Sequence, residues 1–285
     1  MTFVTRFAPS PTGPLHLGHA YSALTAFDLA SAANGEFFLR IEDIDQSRAR
    51  SSWEQQIYED LHWLGLRWPT PVMRQSDRMA RYEDVLRDLH ARGLLYACHC
   101  SRRDIAAAAS APQEGAPLLG PDGIVYPGTC RDTPHLPFDP SSAYRLDLAA
   151  AFDQISDNLC FEEADHGPDG QIGTITVTRA DMLRDIGDPV LARRDMGTSY
   201  HLSVVVDDAD QGITDVVRGR DLFEATAIHV VLQRLLDLPT PRYHHHDLVR
   251  DPAGKRLAKR DDARAIALLR DEGASAADIR KMVGL

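Results

Sequence analysis

The run Arg6-Phe7-Ala8-Pro9-Ser10-Pro11-Thr12-Gly13-Pro14-Leu15-His16-Leu17-Gly18-His19 decides the fold. Its upstream flank, residues 2–7, is β-branched and aromatic and reads as a strand. Pro9, Pro11 and Pro14 exclude helix from the middle of the run. Residues 20–33 are rich in alanine and leucine and read as a helix ended by Asn34-Gly35, and residues 36–42 read as a second strand. Strand, helix and strand make a βαβ unit, the building block of a parallel sheet. A loop between that strand and that helix stands at the carboxyl edge of the sheet, where open α/β folds bind ligands. The helix N-terminus offers N–H groups and a positive dipole end to a phosphate. His16 and His19, one turn apart, can face the same phosphate, and Gly18 leaves room for a nucleotide against the backbone. Two histidines around a glycine would alone be an incidental turn; the whole string in this context reads as a nucleotide site.

Further along, residues 52–64 and 77–92 are apolar on one face and read as helices, the second capped by Gly93. Ser101 to Asp104 has capping-box spacing for another short helix. Residues 106–123 read as an exposed loop, and 143–148, 158–163 and 173–178 as short strands. This middle region breaks the βαβ pattern and reads as an insertion. The pattern resumes near Tyr200: residues 201–206 and 213–217 read as buried strands, 221–236 as a helix and 243–249 as a strand. A turn at 251–254, a basic stretch and two short helices follow. The expected division is 1–95 and 191–245 for two halves of one domain, 96–190 for the insert and 246–285 for the basic loop and C-terminal helices.

At 285 residues the chain exceeds one small domain, and 44% hydrophobic with 26% charged residues supports a sizeable core rather than disorder. A net charge of -11 opposes a broadly phosphate-binding surface but leaves room for local clusters at Arg48/Arg50, Arg102/Arg103, Arg193/Arg194 and residues 255–260, each of which alone reads as a solvated face. Runs of 18 apolar residues and a signal-peptide pattern are both missing, so a cytoplasmic protein without a membrane span is expected. Cys98 and Cys100 are too close to pair with each other, which favours reduced thiols or a metal site for the cysteines, and Cys160 reads as core.

The opening run resembles the start of the class I glutamyl-tRNA synthetases, with His16-Leu17-Gly18-His19 where that family has its HIGH signature. Gly254-Lys255-Arg256-Leu257-Ala258-Lys259-Arg260 resembles the second signature, the basic KMSKS loop. Ala258 stands in place of the family's serine and removes one hydroxyl contact. The resemblance runs from residue 3 to about residue 262. It implies an α/β fold: a Rossmann-like catalytic domain, an inserted α+β acceptor-binding and zinc subdomain, and a short C-terminal helical piece. It implies ATP, with Mg²⁺, bound by His16, Gly18, His19, Arg256 and Lys259, of which His16, His19 and Lys259 are catalytic. Attack of a carboxylate on the α-phosphate gathers negative charge on phosphate oxygens, and histidines, a helix N-terminus and a lysine stabilise such charge.

Arg6, Phe7, Ala8, Pro9, Ser10, Glu42, Tyr200 and Arg218 match the family's positions for L-glutamate. Two carboxylates and one ammonium call for two cationic groups and one anionic group. Glu42 would meet the ammonium and the two arginines the carboxylates, in an order the sequence leaves open. Singly, Glu42 reads equally as a surface acid and Arg218 as a structural ion-pair partner. His244-His245-His246 lies in a predicted strand, whose alternation separates the side chains and argues against a shared ion.

Cys98, Cys100 and Cys130 offer three thiolates to one structural zinc per chain. Tyr126 matches a fourth ligand in one branch of the family, with water or His99 as competitors. The sequence stops at Leu285, so the helical region with which a full-length synthetase reads an anticodon is not expected. That feature and the Cys-x-Cys pattern are similar to the branch that attaches glutamate to the queuosine base of tRNA(Asp), which makes that tRNA the expected partner. A truncated enzyme charging tRNA(Glu), an adenylating enzyme without tRNA and a regulatory paralogue stay open. Nothing suggests a dimer, and a monomer is expected. Lys259→Ala is expected to abolish most glutamate-dependent ATP–pyrophosphate exchange; near-normal exchange would reject the assignment of the second signature.

Overall fold

The computed structural model describes residues 2–109, 119–121, 123–156, 158–249 and 264–285. The basic loop with Arg256 and Lys259 lies outside the described residues. The first elements are β1 (Val4–Phe7), α1 (Leu17–Ala32), β2 (Glu36–Ile41), α2 (Ser51–Trp63), β3 (Met73–Arg74) and α3 (Met79–Ala91). Next come β4 (Leu95–Ala97), α4 (Arg102–Ala109), β5 (Leu119–Gly120), β6 (Gly123–Ile124), β7 (Tyr144–Leu146), α5 (Leu148–Gln154), β8 (Asn158–Glu163), β9 (Gly173–Thr178), α6 (Arg179–Asp181) and β10 (Val190–Ala192). The chain then forms α7 (Tyr200–Asp210), β11 (Asp215–Gly219), α8 (Thr226–Leu235), β12 (Arg242–His246), α9 (Ile266–Asp271) and α10 (Ala276–Val283).

The expected βαβ unit is present: β1 pairs in parallel with β2, and β2 with β3. Alanines 20, 23, 26 and 30 form the buried side of α1 and let it lie close on the sheet. The helix ends where Asn34 takes φ 50° and Gly35 brings its backbone against Phe3. A Cβ on Gly35 would stand 2.0 Å from the Phe3 carbonyl oxygen, which itself accepts the Glu36 amide. β11, β12 and β8 form a second parallel set, with β9 antiparallel at its edge. The Thr214 amide donates to the Val4 carbonyl at 2.9 Å and the Val4 amide to Thr214 Oγ1 at 2.8 Å, so β1 and β11 lie side by side. The resulting order, β3-β2-β1-β11-β12-β8-β9, reverses direction between β1 and β11, and that reversal is the switch point where a doubly wound sheet binds its ligand.

Four readings change. Residues 201–206 belong to a helix, α7, rather than a strand. Every residue from His201 to Asp208 is buried, so the run shows no 3.6-residue period, and its three valines imitate a strand. The Ser199 hydroxyl, which caps α7, was the available signal. The expected insert, 96–190, is split: β4, β7 and β10 form a separate antiparallel sheet, while β8 pairs with β12 and carries β9 onto the main sheet. Cys160 is exposed, because β8 alternates and turns Leu159, Phe161 and Glu163 inward. The loop expected at 106–123 is also shorter, since α4 continues to Ala109 and β5 pairs with β6.

A buried charge network joins the first two strands to α7. Arg40 is completely buried, and its Nη1 donates to Asp208 Oδ1 at 2.7 Å while its Nη2 donates to Glu42 Oε1 at 3.1 Å. Arg6 grips the same Asp208 with Nε at 2.9 Å and Nη2 at 3.2 Å. Burial alone would raise the Asp208 pKa, but Arg6 and Arg40 hold it below the ordinary carboxylate value. Neighbouring Asp207 accepts from Gln75, Arg78 and Tyr82, which ties in the start of α3. Asp208→Ala leaves two guanidinium groups without their shared counter-charge and is expected to cost about 3–5 kcal/mol of folding free energy in denaturant unfolding. A loss below about 1 kcal/mol, typical of exposed pairs, would contradict a dry network.

Candidate active site and thiol cluster

The HIGH-like string reaches the surface at the start of α1. His16 is the N-cap residue, and its Nδ1 accepts the Gly18 amide at 3.2 Å. His19 Nδ1 accepts the His16 amide at 3.1 Å, and the two rings stand 3.8 Å apart. With both Nδ1 atoms accepting, each neutral ring carries its proton on Nε2, a donor suited to phosphate oxygen. A Cβ at Gly18 would come within 3.1 Å of the His16 ring, so the glycine keeps this pair close. Beyond the basic loop the described chain returns to the same place: Ala265 bridges to His16, and the Ile266 amide donates to the Leu15 carbonyl at 2.9 Å.

Next to this helix end opens a cavity of about 910 Å³, lined by Ser10, Glu42, Tyr200 and His201 among others. Arg6 and Arg218 are 5% and 6% exposed and act on the Tyr200 hydroxyl, whose pKa burial raises, Arg218 and Arg6 lower and Glu42 raises. Burial likewise lifts Glu42 above the ordinary carboxylate value, against the pull of Arg40 and Arg6. Five sequence-predicted positions, Arg6, Ser10, Glu42, Tyr200 and Arg218, therefore converge from β1, β2, α7 and β11. Phe7 departs from that set, because its side chain packs into the core with Leu15 and Leu39. Pro9 is buried and contributes its carbonyl to the Glu42 amide at 3.0 Å, and half-buried Ala8 joins it in linking β1 to Ser10.

Sequence reasoning missed Arg40, Asp207 and Asp208. An arginine inside the apolar strand Glu36–Ile41, and two acids closing the run Val204-Val205-Val206, were the available signals, since buried charge requires a partner. The three consecutive histidines do part company as expected: His244 meets Asp215, His245 meets Glu163 and His246 meets Ser22.

At the far wall of the cavity stand Cys98, Cys100 and Tyr126. The Sγ atoms of Cys98, Cys100 and Cys130 lie within 4.8 Å of one another, a cluster able to hold a metal ion. Tyr126 Oη is 3.5 Å from Cys98 Sγ, 3.4 Å from Cys100 Sγ and accepts the Cys130 amide at 2.9 Å. Burial raises the Cys130 thiol, but the Tyr126 hydroxyl and the neighbouring donors bring it down to about 7. Arg145 donates from Nε to Cys98 Sγ at 3.3 Å and lies over the Tyr126 ring, adding positive charge beside the thiols. His99 is exposed and accepts from Arg194 through Nδ1, so its ring is engaged away from the sulfurs.

These features meet close parallels in known proteins. The family model for tRNA synthetases class I (E and Q), catalytic domain, matches residues 2–116 and 165–285. The chain is 61% identical to the glutamyl-Q tRNA(Asp) synthetase of Rhodobacter capsulatus over 99% of this chain and 100% of that one. It is 42% identical to the Nocardia farcinica protein of the same name, over 92% of this chain and 77% of the relative. Among solved structures, the glutamate tRNA ligase from Elizabethkingia meningosepticum, crystallised with its amino acid, is similar with a TM-score of 0.77 and 25% identity over 99% of this chain. This chain spans only 60% of that ligase. A methionyl-tRNA synthetase from Mycobacterium tuberculosis, at 14% identity and a TM-score of 0.57, shares the fold, covering 99% of this chain and 64% of the other. By family match, by full-length identity and by fold, the chain belongs to the class I tRNA synthetases and, within them, to the glutamyl-Q tRNA(Asp) synthetase family.

Proposed function

We propose that the chain activates L-glutamate with ATP and transfers it to the queuosine base of tRNA(Asp). The observation that carries this reading is the convergence of Arg6, Glu42, Tyr200 and Arg218 at the switch point of a chain that shares 61% of its residues with a glutamyl-Q tRNA(Asp) synthetase. Glutamate lies with its ammonium toward Glu42 and its carboxylates toward Arg6 and Arg218, beside Tyr200 and the Pro9–Ser10 turn. ATP lies on the N-terminus of α1, with phosphates toward His16 and His19 and the nucleotide against Gly18. Arg256 and Lys259 are assigned to the same phosphates, and the described chain beyond them, from Ala265, docks on Leu15 and His16. One glutamate carboxylate attacks the α-phosphate, pyrophosphate leaves, and the donors around it stabilise the added charge. Mg²⁺ bound with ATP supplies further charge neutralisation.

Zinc is the ion that best suits the thiol cluster. Tetrahedral zinc with Zn–S bonds of about 2.3 Å sets sulfurs about 3.8 Å apart, and Cys100 and Cys130 already approach to 3.5 Å. Cys98, Cys100 and Cys130 would hold it, with Tyr126 Oη as the fourth donor. It would supply structure, fixing the short strands around β4 and β7 that carry one wall of the cavity. The main sheet, the insert and the C-terminal helices act as catalytic, acceptor-binding and loop-supporting parts, in a cytoplasmic monomer. Among the described residues no helix is long and apolar enough to cross a membrane.

Incubation with ATP, labelled glutamate and purified tRNAs tests the function. Label is expected on tRNA(Asp) only when it carries queuosine; label on tRNA(Glu) instead would make the chain a short enzyme of the ordinary acceptor-end kind. Elemental analysis of protein purified under reducing conditions is expected to find about one zinc per chain, the count set by one four-ligand site, and much less in Cys130→Ser. Equal zinc in both proteins would reject the ligand set.

A further inference from the structure

Arg218 is buried, and none of the groups its guanidinium donates to among the described residues is a carboxylate. Nε donates to His245 Nε2 at 3.1 Å and Nη1 to His229 Nδ1 at 3.2 Å. Nη2 donates to the Leu222 carbonyl at 3.2 Å and to Thr226 Oγ1 at 2.6 Å. Arg6 and Arg40, by contrast, both meet Asp208 directly. A buried cation without a counter-charge is costly. The hydrogen bonds lead from Arg218 to the anion that answers it.

Arg218, His245 and Glu163 stand on three neighbouring strands. Arg218 of β11 is the register partner of His245 of β12, and β12 pairs in turn with β8 through Tyr243 and Glu163. An arginine can only donate, so His245 Nε2 accepts. The neutral ring then carries its proton on Nδ1, which lies 2.5 Å from Glu163 Oε2. Glu163 Oε1 accepts the His245 amide at 3.0 Å and the Asp165 amide at 3.2 Å, so both oxygens are engaged. Glu163 and His245 are 1% and 0% exposed, which leaves no room for water to screen them. Burial works to raise the Glu163 pKa, but the donors of His245 hold it below the ordinary carboxylate value. Burial, aided by Arg218, keeps His245 below the ordinary imidazole value against the pull of Glu163. The chain is therefore carboxylate, neutral imidazole, guanidinium. Carboxylates orient histidines in this way at metal sites, and here an arginine stands in the place of the metal.

We propose that Glu163 is the remote counter-charge and positioning residue of Arg218, acting through neutral His245 to fix the guanidinium for a carboxylate of the amino acid. An acid in direct contact would quench the charge that the ligand is to meet. One imidazole of separation balances that charge from the side of β12 and leaves it effective toward the cavity. The proposal rests on the reading of this cavity as the glutamate site. It also gives β8, expected within the insert, a reason to lie on the main sheet, since β8 delivers the acid.

Glu163→Gln separates this role from plain packing. The new amide turns a donor either toward His245 Nδ1 or toward the His245 and Asp165 amides. The first loses one bond and the second two, so the first is expected. It drives the His245 proton onto Nε2, donor against donor at Arg218 Nε. In ATP–pyrophosphate exchange the KM for glutamate is then expected to rise on the order of tenfold or more, the scale on which outer partners of ligand-binding imidazoles matter, with the KM for ATP unchanged. Nitrogen NMR of the ligand-free protein is expected to show an Nδ1–H tautomer for His245 in the wild type and an Nε2–H tautomer in Glu163→Gln. An Nε2–H tautomer in the wild type overturns the proposal even where the variant fails to fold. A wild-type glutamate KM in folded Glu163→Gln, or equal rises for glutamate and ATP, also overturns it. A wild-type protein with the expected tautomer but no exchange with glutamate overturns the functional reading, and the carboxylate contact falls with it.

Discussion

Two arginines, Arg6 and Arg40, are buried at the carboxyl edge of the sheet and share one aspartate, Asp208. Guanidinium groups removed from water are costly unless each is paired, and here the pairing fixes geometry. Asp208 can serve both only if β1, β2 and α7 meet at one place. Meeting there sets Glu42, bonded to Arg40, on one side and Tyr200, at the start of α7, on the other. The cavity is thus shaped by a charge balance settled before any ligand arrives. Arg6 holds Asp208 through Nε and Nη2, while the completely buried Arg40 gives its Nη donors to Asp208, Gln211 and Glu42.

The two ends of the proposed active site follow different physics. The nucleotide end is local: a helix N-terminus and two histidines three residues apart need nothing beyond their own turn. The amino-acid end is assembled from strands and a helix far apart in the chain. This contrast explains what the sequence disclosed. Pro9, Gly18 and the two histidines spell their loop directly, and Asn34-Gly35 marks the end of α1 correctly. The positions of Arg6, Glu42, Tyr200 and Arg218 could be named by resemblance, whereas the pairing of Asp208 with both Arg6 and Arg40 shows only in the assembled chain.

The misread segments fail for one reason. α7 is buried on all sides, so its residues carry no alternation of polar and apolar faces and the valines suggest a strand. β8 and β9 alternate cleanly and were recognised as strands, yet which sheet they join depends on the pairing of Glu163 with Tyr243, eighty residues downstream in sequence. Cys160 followed the same logic: its strand was legible and its outward face was not. Periodicity reports local shape, whereas sheet membership and buried ion pairing are properties of the assembled chain.

The central claim is that this charge arrangement reads both carboxylates of glutamate. Exchange of pyrophosphate into ATP, measured with glutamate and with glutamine as alternative substrates, tests it most directly. Glutamine keeps the shape and the ammonium but replaces one carboxylate by a neutral amide. The charge arrangement calls for glutamate to be favoured by at least about a thousandfold in kcat/KM, the scale on which sites built around buried polar groups reject a mismatched analogue. Glutamine within about tenfold of glutamate, the scale of a shape-only pocket, would contradict it.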